Sequence, residues 1–143
     1  MTYKTTKAKL DRVFSRFIRL RDTNEHGVGQ CISCGKFVVA WRIKDGKIQF
    51  IQTVHAGHYY SRGASKALYF DEKNVNLQCC QCNSFHEGNK QGYARGLIRK
   101  YGNNILDLLE IKAKNECYLG EGELKILLMD YEHKVKQLTG RKR

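Results

Sequence analysis

Two pairs of cysteines and a run of histidines and carboxamides are the residues of this chain best suited to chemistry. Cys31 and Cys34 lie in CISCG and Cys79 and Cys82 in CCQCN, with two residues inside each pair. That spacing lets one tight turn aim two thiolates at an ion, and two such turns complete the tetrahedron that Zn²⁺ prefers. Gly35 suits the sharp backbone just after the first pair. Four thiolates leave no position for water, so this zinc is expected to staple the fold and not to catalyse. Cys80 and Cys117 read as plain thiols, Cys80 doubling as an alternative ligand because it adjoins one. Disulfides are the weaker reading. MTYKTTKAKLDRVF has no apolar stretch or small-residue cleavage site, so a reducing cytoplasm is the expected location.

His55 and His58 fall in HAGHY between the cysteine pairs, and Asn83, His86 and Glu87 follow the second pair. A histidine poised near neutral pH at a strand end suits a general base. Imidazole, carboxamide and carboxylate groups beside it suit a divalent ion that binds a phosphate. The same side chains would serve equally well as ordinary polar loop residues near a zinc knuckle. From the residues alone both readings stay open.

Charge points to a partner. The 143 residues carry 26 Lys and Arg against 14 acidic residues, a net +12 spread along the chain and ending in Arg141-Lys142-Arg143. Such a surplus implies a polyanion, nucleic acid and no small-molecule substrate, the bland alternative being charge that merely aids solubility. No run of 18 apolar residues occurs, so no membrane span is expected.

These residues need elements to position them. Leu10, Val13, Phe14, Phe17, Ile18 and Leu20 recur at helical spacing from about Lys4 to Asn24, a core stripe with basic residues opposite, ended by Gly27 and Gly29. FVVAWRIKDGKIQFIQTVHAGHY is β-rich, and Asp45-Gly46 is a two-residue hairpin signal. Residues 61–76 read as a polar loop around Leu68-Tyr69-Phe70. Tyr93, Leu97, Ile98 and Tyr101 mark a helix stopping at Gly102, and two more helical patterns run from Ile105 to about Cys117 and from Glu121 to Leu138. The chain reads as one α+β domain: an N-terminal helix in 1–27, a zinc-framed core in 28–101, and C-terminal helices with a basic tail in 102–143.

CISCGK, AGHYYSRG, LYFDEKNVNLQCCQCN and EGN, followed by a tyrosine-bearing helix, occur in that order between Phe14 and Tyr101. In these blocks the chain resembles the phage lambda NinG (Rap) recombination-protein family. The resemblance implies a small zinc-stapled ββα-metal core of the HNH (His-Me finger) type, related in motif to phage endonuclease VII and flanked by helices. It also implies a DNA endonuclease selective for branched structures such as D-loops and four-way junctions, acting in a bacterial host. By that resemblance His58 is the general base, Asn74 braces the loop that holds it, and Asn83 is a ligand of a catalytic Mg²⁺ or Mn²⁺. The chain departs from the HNH pattern at Gly57, where an acidic ligand usually precedes the base; His55, His86 and Glu87 are the candidates to complete the sphere, His86 by lying three residues beyond Asn83 on a helix. Arg62 is placed to clamp the scissile phosphate, and Lys66, Lys90, Arg95, Arg99 and Lys100, with Arg16, Arg19 and Arg21, to follow the backbone of double-stranded or branched DNA. A homodimer is expected, since paired cuts need two active sites. Two other readings are a zinc-ribbon module that binds nucleic acid without cutting it, and an HNH nuclease that prefers a linear sequence.

Overall fold

A computed structural model describes residues 2–115 and 118–142; Cys117 and Arg143 lie outside the described residues. Helix α1, Tyr3–Arg21, starts where the Thr2 hydroxyl accepts a hydrogen bond from the Thr5 amide (3.2 Å). The expected stripe is its buried face: Leu10, Phe14, Ile18 and Leu20 are all at most 1% exposed. It packs along α4, Glu121–Lys142, through Leu124, Leu128 and Tyr131, with the Phe14 and Tyr131 rings edge to face at 4.9 Å. The helix ends earlier than its glycines suggest. Asp22 and Thr23 close it, the Thr23 hydroxyl donating to the Arg19 carbonyl (2.8 Å) while accepting from the buried Trp41 indole (2.7 Å). Gly27 instead makes a turn at φ +77° directly beneath Trp41, whose carbonyl leaves no room for a Cβ.

Three two-stranded antiparallel sheets follow: β1 (Val28–Gln30) with β2 (Phe37–Val39), β3 (Trp41–Lys44) with β4 (Lys47–Phe50), and β5 (Val54–His58) with β6 (Val75–Cys79). Asp45 and Gly46 turn β3 into β4 with positive φ at both positions, as the sequence predicts. Strand β6 is a correction to the expected polar loop, because Val75 and Asn76 belong to the strand. All five of its residues are buried, so it lacks the inside-outside alternation of a half-exposed strand. Its polar members Asn76 and Gln78 are tolerated there because each is hydrogen-bonded to neighbouring elements.

After β6 comes one turn of π-helix, Gln81–Phe85, then α2 (Lys90–Tyr101), α3 (Ile105–Lys114) and α4, which continues past Leu138 to Lys142. Helix α2 packs through Tyr93 and Leu97 onto Leu68 and onto α3. The β5–β6 ribbon is thus held between α1 on one face and the cysteine turns with α2 on the other. Among the described residues no helix is long and apolar enough to cross a membrane.

Candidate functional site

The four sequence-predicted cysteines converge. The sulfurs of Cys31, Cys34, Cys79 and Cys82 all lie within 4.8 Å of one another, with Cys34 and Cys79 at 3.9 Å. Zn–S bonds of about 2.3 Å at tetrahedral angles put sulfurs roughly 3.8 Å apart, so the set fits zinc. Cys80 is outside the cluster; its amide donates to Thr53 O (3.0 Å). Burial opposes ionisation of Cys31, but amide donors from Cys34, Cys79 and Ser33 outweigh it and lower that thiol. Cys82 goes the other way: burial and neighbouring thiols push it up to about 12, against the Asn89 carboxamide that donates to its sulfur (3.4 Å). A bound cation would hold both as thiolates. Asn89 also caps α2, accepting from Gly92 N (3.3 Å), so one side chain ties the metal site to a helix.

Strand β5 carries the two histidines on opposite faces, because they are three residues apart on a strand with a two-residue period. His55 pairs with Gln78 across the ribbon and faces the π-turn. Its Nε2 meets the Gln52 carbonyl (3.1 Å) and its Nδ1 meets Asn83 Nδ2 (2.9 Å). A carbonyl only accepts, so Nε2 carries the proton and Nδ1 presents a lone pair to Asn83. His58, at the strand end, faces α1. Its Nε2 meets the Tyr69 carbonyl at 2.9 Å, so Nε2 likewise carries the proton and Nδ1 the lone pair. Burial lowers the His58 pKa below its ordinary value, helped by the Arg62 and Lys90 charges and opposed by the Tyr69 carbonyl and Asp11. The imidazole is therefore neutral at pH 7, in the tautomer a base requires.

The loop around His58 is fixed from three sides. Asn74, fully buried, accepts from Tyr60 N (2.8 Å) and donates to the Tyr60 (3.1 Å) and Leu68 (3.0 Å) carbonyls, a brace of the kind the resemblance implies. The buried Tyr93 hydroxyl donates to Gly57 O (2.6 Å). Lys90 Nζ donates to His58 O (2.9 Å) and to Tyr59 O. Gly57 has a neighbour that sequence reasoning missed. A Cβ there would stand 1.9 Å from Oε1 of Gln78, so that carboxamide fills the space where a side chain before the base would go. Gln78 Nε2 donates to Ser33 Oγ and Gly88 O, both at 2.8 Å, while its Oε1 has no hydrogen-bond partner.

Not every expected residue joins the site. His86 follows a π-turn closed by its own amide on Gln81 O (3.2 Å), so the helical relation to Asn83 that recommends it in the sequence does not hold. His86 and Glu87 are exposed, and among the described residues the four cysteines are the one group of three or more His, Cys, Asp or Glu gathered closely enough to hold a metal. The basic residues divide similarly. Arg62, Lys66, Arg95 and Arg99 are exposed. Lys90 is engaged at His58, and Lys100 donates to Asp22 (2.8 Å) and Asn76 (2.6 Å). Arg21 donates to Asp22, Val75 O and Asn76, and Arg19 lies over the Phe50 ring with its pKa lowered by burial to about 10. Lys90, Lys100 and Arg21 are thus each already bonded to the framework. Arg21 and Lys100 line a cleft of about 820 Å³ between the end of α1, the first cysteine turn and α2, which does not include His58. Both are paired there with Asp22. A smaller groove of about 450 Å³, lined by Tyr3, Lys4, Lys7, Ala8, Asp11, Arg62 and Tyr69, adjoins the His58 loop.

Comparison with known proteins bears out the family part of the resemblance. The family described as Bacteriophage Lambda NinG protein matches residues 2–141, and the chain belongs to that family. Protein ninG of Salmonella phage P22 is 34% identical over 123 residues, 85% of this chain and 52% of that protein. Protein ninG of Escherichia phage lambda and that of Escherichia phage 933W are each 32% identical over the same shares. The chain therefore spans about half the length of the curated relatives it matches. No solved structure matches it.

Proposed function

We propose that the chain is a metal-dependent DNA endonuclease of the ββα-metal type that acts on branched recombination intermediates such as D-loops and four-way junctions. The observation that carries the reading is His58: a part-buried imidazole at the end of an antiparallel ribbon, its Nε2 proton tied to a backbone carbonyl and its pKa lowered so that Nδ1 is free to accept a proton. The order β5, β6, cysteine turn and Asn83 supports the same reading, as does the Asn74 brace.

In this mechanism His58 Nδ1 takes a proton from water, the resulting hydroxide attacks phosphorus in line with the departing 3′ oxygen, and that oxygen takes a proton from solvent, leaving a 5′-phosphate and a 3′-hydroxyl. Asn83 and His55 are neutral side chains in contact with each other, on the face of β5 opposite His58, so as they stand they hold one another and not an ion beside the base. A Mg²⁺ or Mn²⁺ ion held against the scissile phosphate on the His58 face would supply charge stabilisation of the pentacovalent phosphorus. Gly57 and Gln78 add no carboxylate, so the substrate's own phosphate brings the anionic ligand. The zinc cluster holds Asn83 in place, since Cys82 immediately precedes it. Exposed Arg62, Lys66, Arg95 and Arg99 supply spread phosphate contacts, which suit recognition of shape over sequence.

The test is cleavage of an end-labelled four-way junction and its matched linear duplex with Mg²⁺, with Mn²⁺ and with EDTA. Metal-dependent cuts near the branch and little cutting of the duplex are expected. Tight binding with no cutting under any metal would leave a zinc-framed binding module, and equal cutting of both substrates would remove the branch selectivity.

A further inference from the structure

We infer that the groove between the first turns of α1 and the loop carrying Arg62 and Tyr69 is the track along which the substrate strand reaches His58, and that Asp11 is a latch holding Arg62 until a phosphate displaces it. The inference rests on the nuclease reading and assigns its substrate path. Helix α1 buries one face in the core, but Lys4, Lys7, Ala8 and Asp11 recur at three- and four-residue steps on another, the wall of this groove. Opposite stands Tyr69. Lys7 Nζ lies 4.8 Å and the Arg62 guanidinium 5.5 Å from its ring centre, and the His58 ring is 5.5 Å away. The Tyr69 carbonyl is also the group that sets the His58 tautomer. One residue thus belongs to both the groove and the base.

The lining fits a nucleic-acid strand better than other partners. Three cations (Lys4, Lys7, Arg62) face one carboxylate, Asp11, and two tyrosines offer flat apolar faces. Cations that follow phosphates beside rings that accept bases are the recurrent arrangement for a strand of DNA. The Arg62–Asp11 pair is 3.3 Å long, with the Arg62 side chain 61% exposed. An exposed ion pair of this kind is weak, whereas a phosphate can take the guanidinium in a two-pronged, charge-assisted grip. Exchange of Asp11 for a phosphate would bring the backbone against the edge of the His58 loop, where the base is needed.

The experiment measures binding of a fluorescent four-way junction in EDTA, so that no cutting intervenes, over a range of salt. Changing both Lys4 and Lys7 to Gln should weaken binding and flatten the log–log salt dependence by about 2, roughly one for each phosphate no longer neutralised. Lys7→Arg combined with Lys4→Gln should keep about half of that difference in slope. Asp11→Asn should tighten binding by about threefold, the size of a weak surface ion pair; a merely structural Asp11 would leave binding unchanged or weaken it. Unchanged affinity and salt slope in the double lysine variant, or unchanged or weaker binding by Asp11→Asn, overturns the groove assignment. The two readings fail separately. A wild type that binds through this groove but never cuts with metal sinks the nuclease, while a double lysine variant that cuts at full rate sinks the groove.

Discussion

The two faces of β5 differ in how they treat polar groups. The face toward the cysteine turns is a polar network. His55 bonds to Asn83, Gln78 to Ser33 and Gly88, and the four sulfurs beside them are gathered for a metal. The face toward α1 is apolar, with Val54, Ala56, Val75 and Leu77 packed in the core, until His58 at its edge. An imidazole at the margin of an apolar face loses hydration, which disfavours its charged form. The same strand thus builds a bonded structural centre on one side and a proton-accepting nitrogen on the other. Rigidity comes from the first, and reactivity is left to the second.

The sharpest way to break the comparison is to remove the metal. Structural zinc contributes on the order of 10 kcal/mol in small domains, comparable with the whole stability of a chain this size. Cys82→Ser, or chelation, should therefore abolish both the cooperative melt and zinc content, read by circular dichroism and metal analysis. A chain that stays folded without zinc would show that the cysteine face is not the frame.

A smaller effect is expected on the loop behind His58. Asn74→Leu removes three hydrogen bonds and strands the Tyr60 amide and Leu68 carbonyl, a loss of about 3 kcal/mol in urea denaturation. Activity should fall with it, since the loop that fixes the base is loosened. Smaller still is Gly57→Ala, whose methyl would collide with Gln78. Overpacking of this kind costs about 1–3 kcal/mol, and adding Gln78→Ala should recover most of it. No recovery in the double variant would mean that Gly57 is required for another reason.

The smallest effect is on pH. His58 is active when neutral and its pKa is lowered by burial from the ordinary 6.5. The cleavage rate should rise with pH through that lowered value and level off above it. The unfolded histidine takes up its proton at higher pH than the folded one, so stability contributed by His58 is complete above about pH 6.5 and is lost as pH falls through the lowered value. A rate still climbing between pH 7 and 8 would point to a different base.

The cysteine face is legible in the sequence because two C-x2-C turns state their geometry in their spacing, and the Asp45-Gly46 hairpin because only a few residues accept positive φ. Strand β6 is half hidden because burial on both sides erases alternation, and its Asn76 and Gln78 look like loop residues until their partners are known. Gln78 and Asp11 carry no signal, as their importance lies in neighbours distant along the chain. The same holds for the Tyr93 hydroxyl, which reaches Gly57 from α2. Lys90, Lys100 and Arg21 show the complementary limit: counting charges reveals a surplus but not which cations are already bonded. Even His55 needs the structure, since strand parity sends it to the face opposite His58 but does not say that Asn83 lies there.

The most direct test is single-turnover cleavage of the four-way junction by wild type and His58→Ala, with binding of each in EDTA and its circular dichroism alongside. If His58 is the base, the rate falls by about 10²- to 10⁴-fold, with fold, zinc content and junction affinity retained. A His58→Ala protein that cuts at the wild-type rate would contradict this, and would remove His58 from the chemistry.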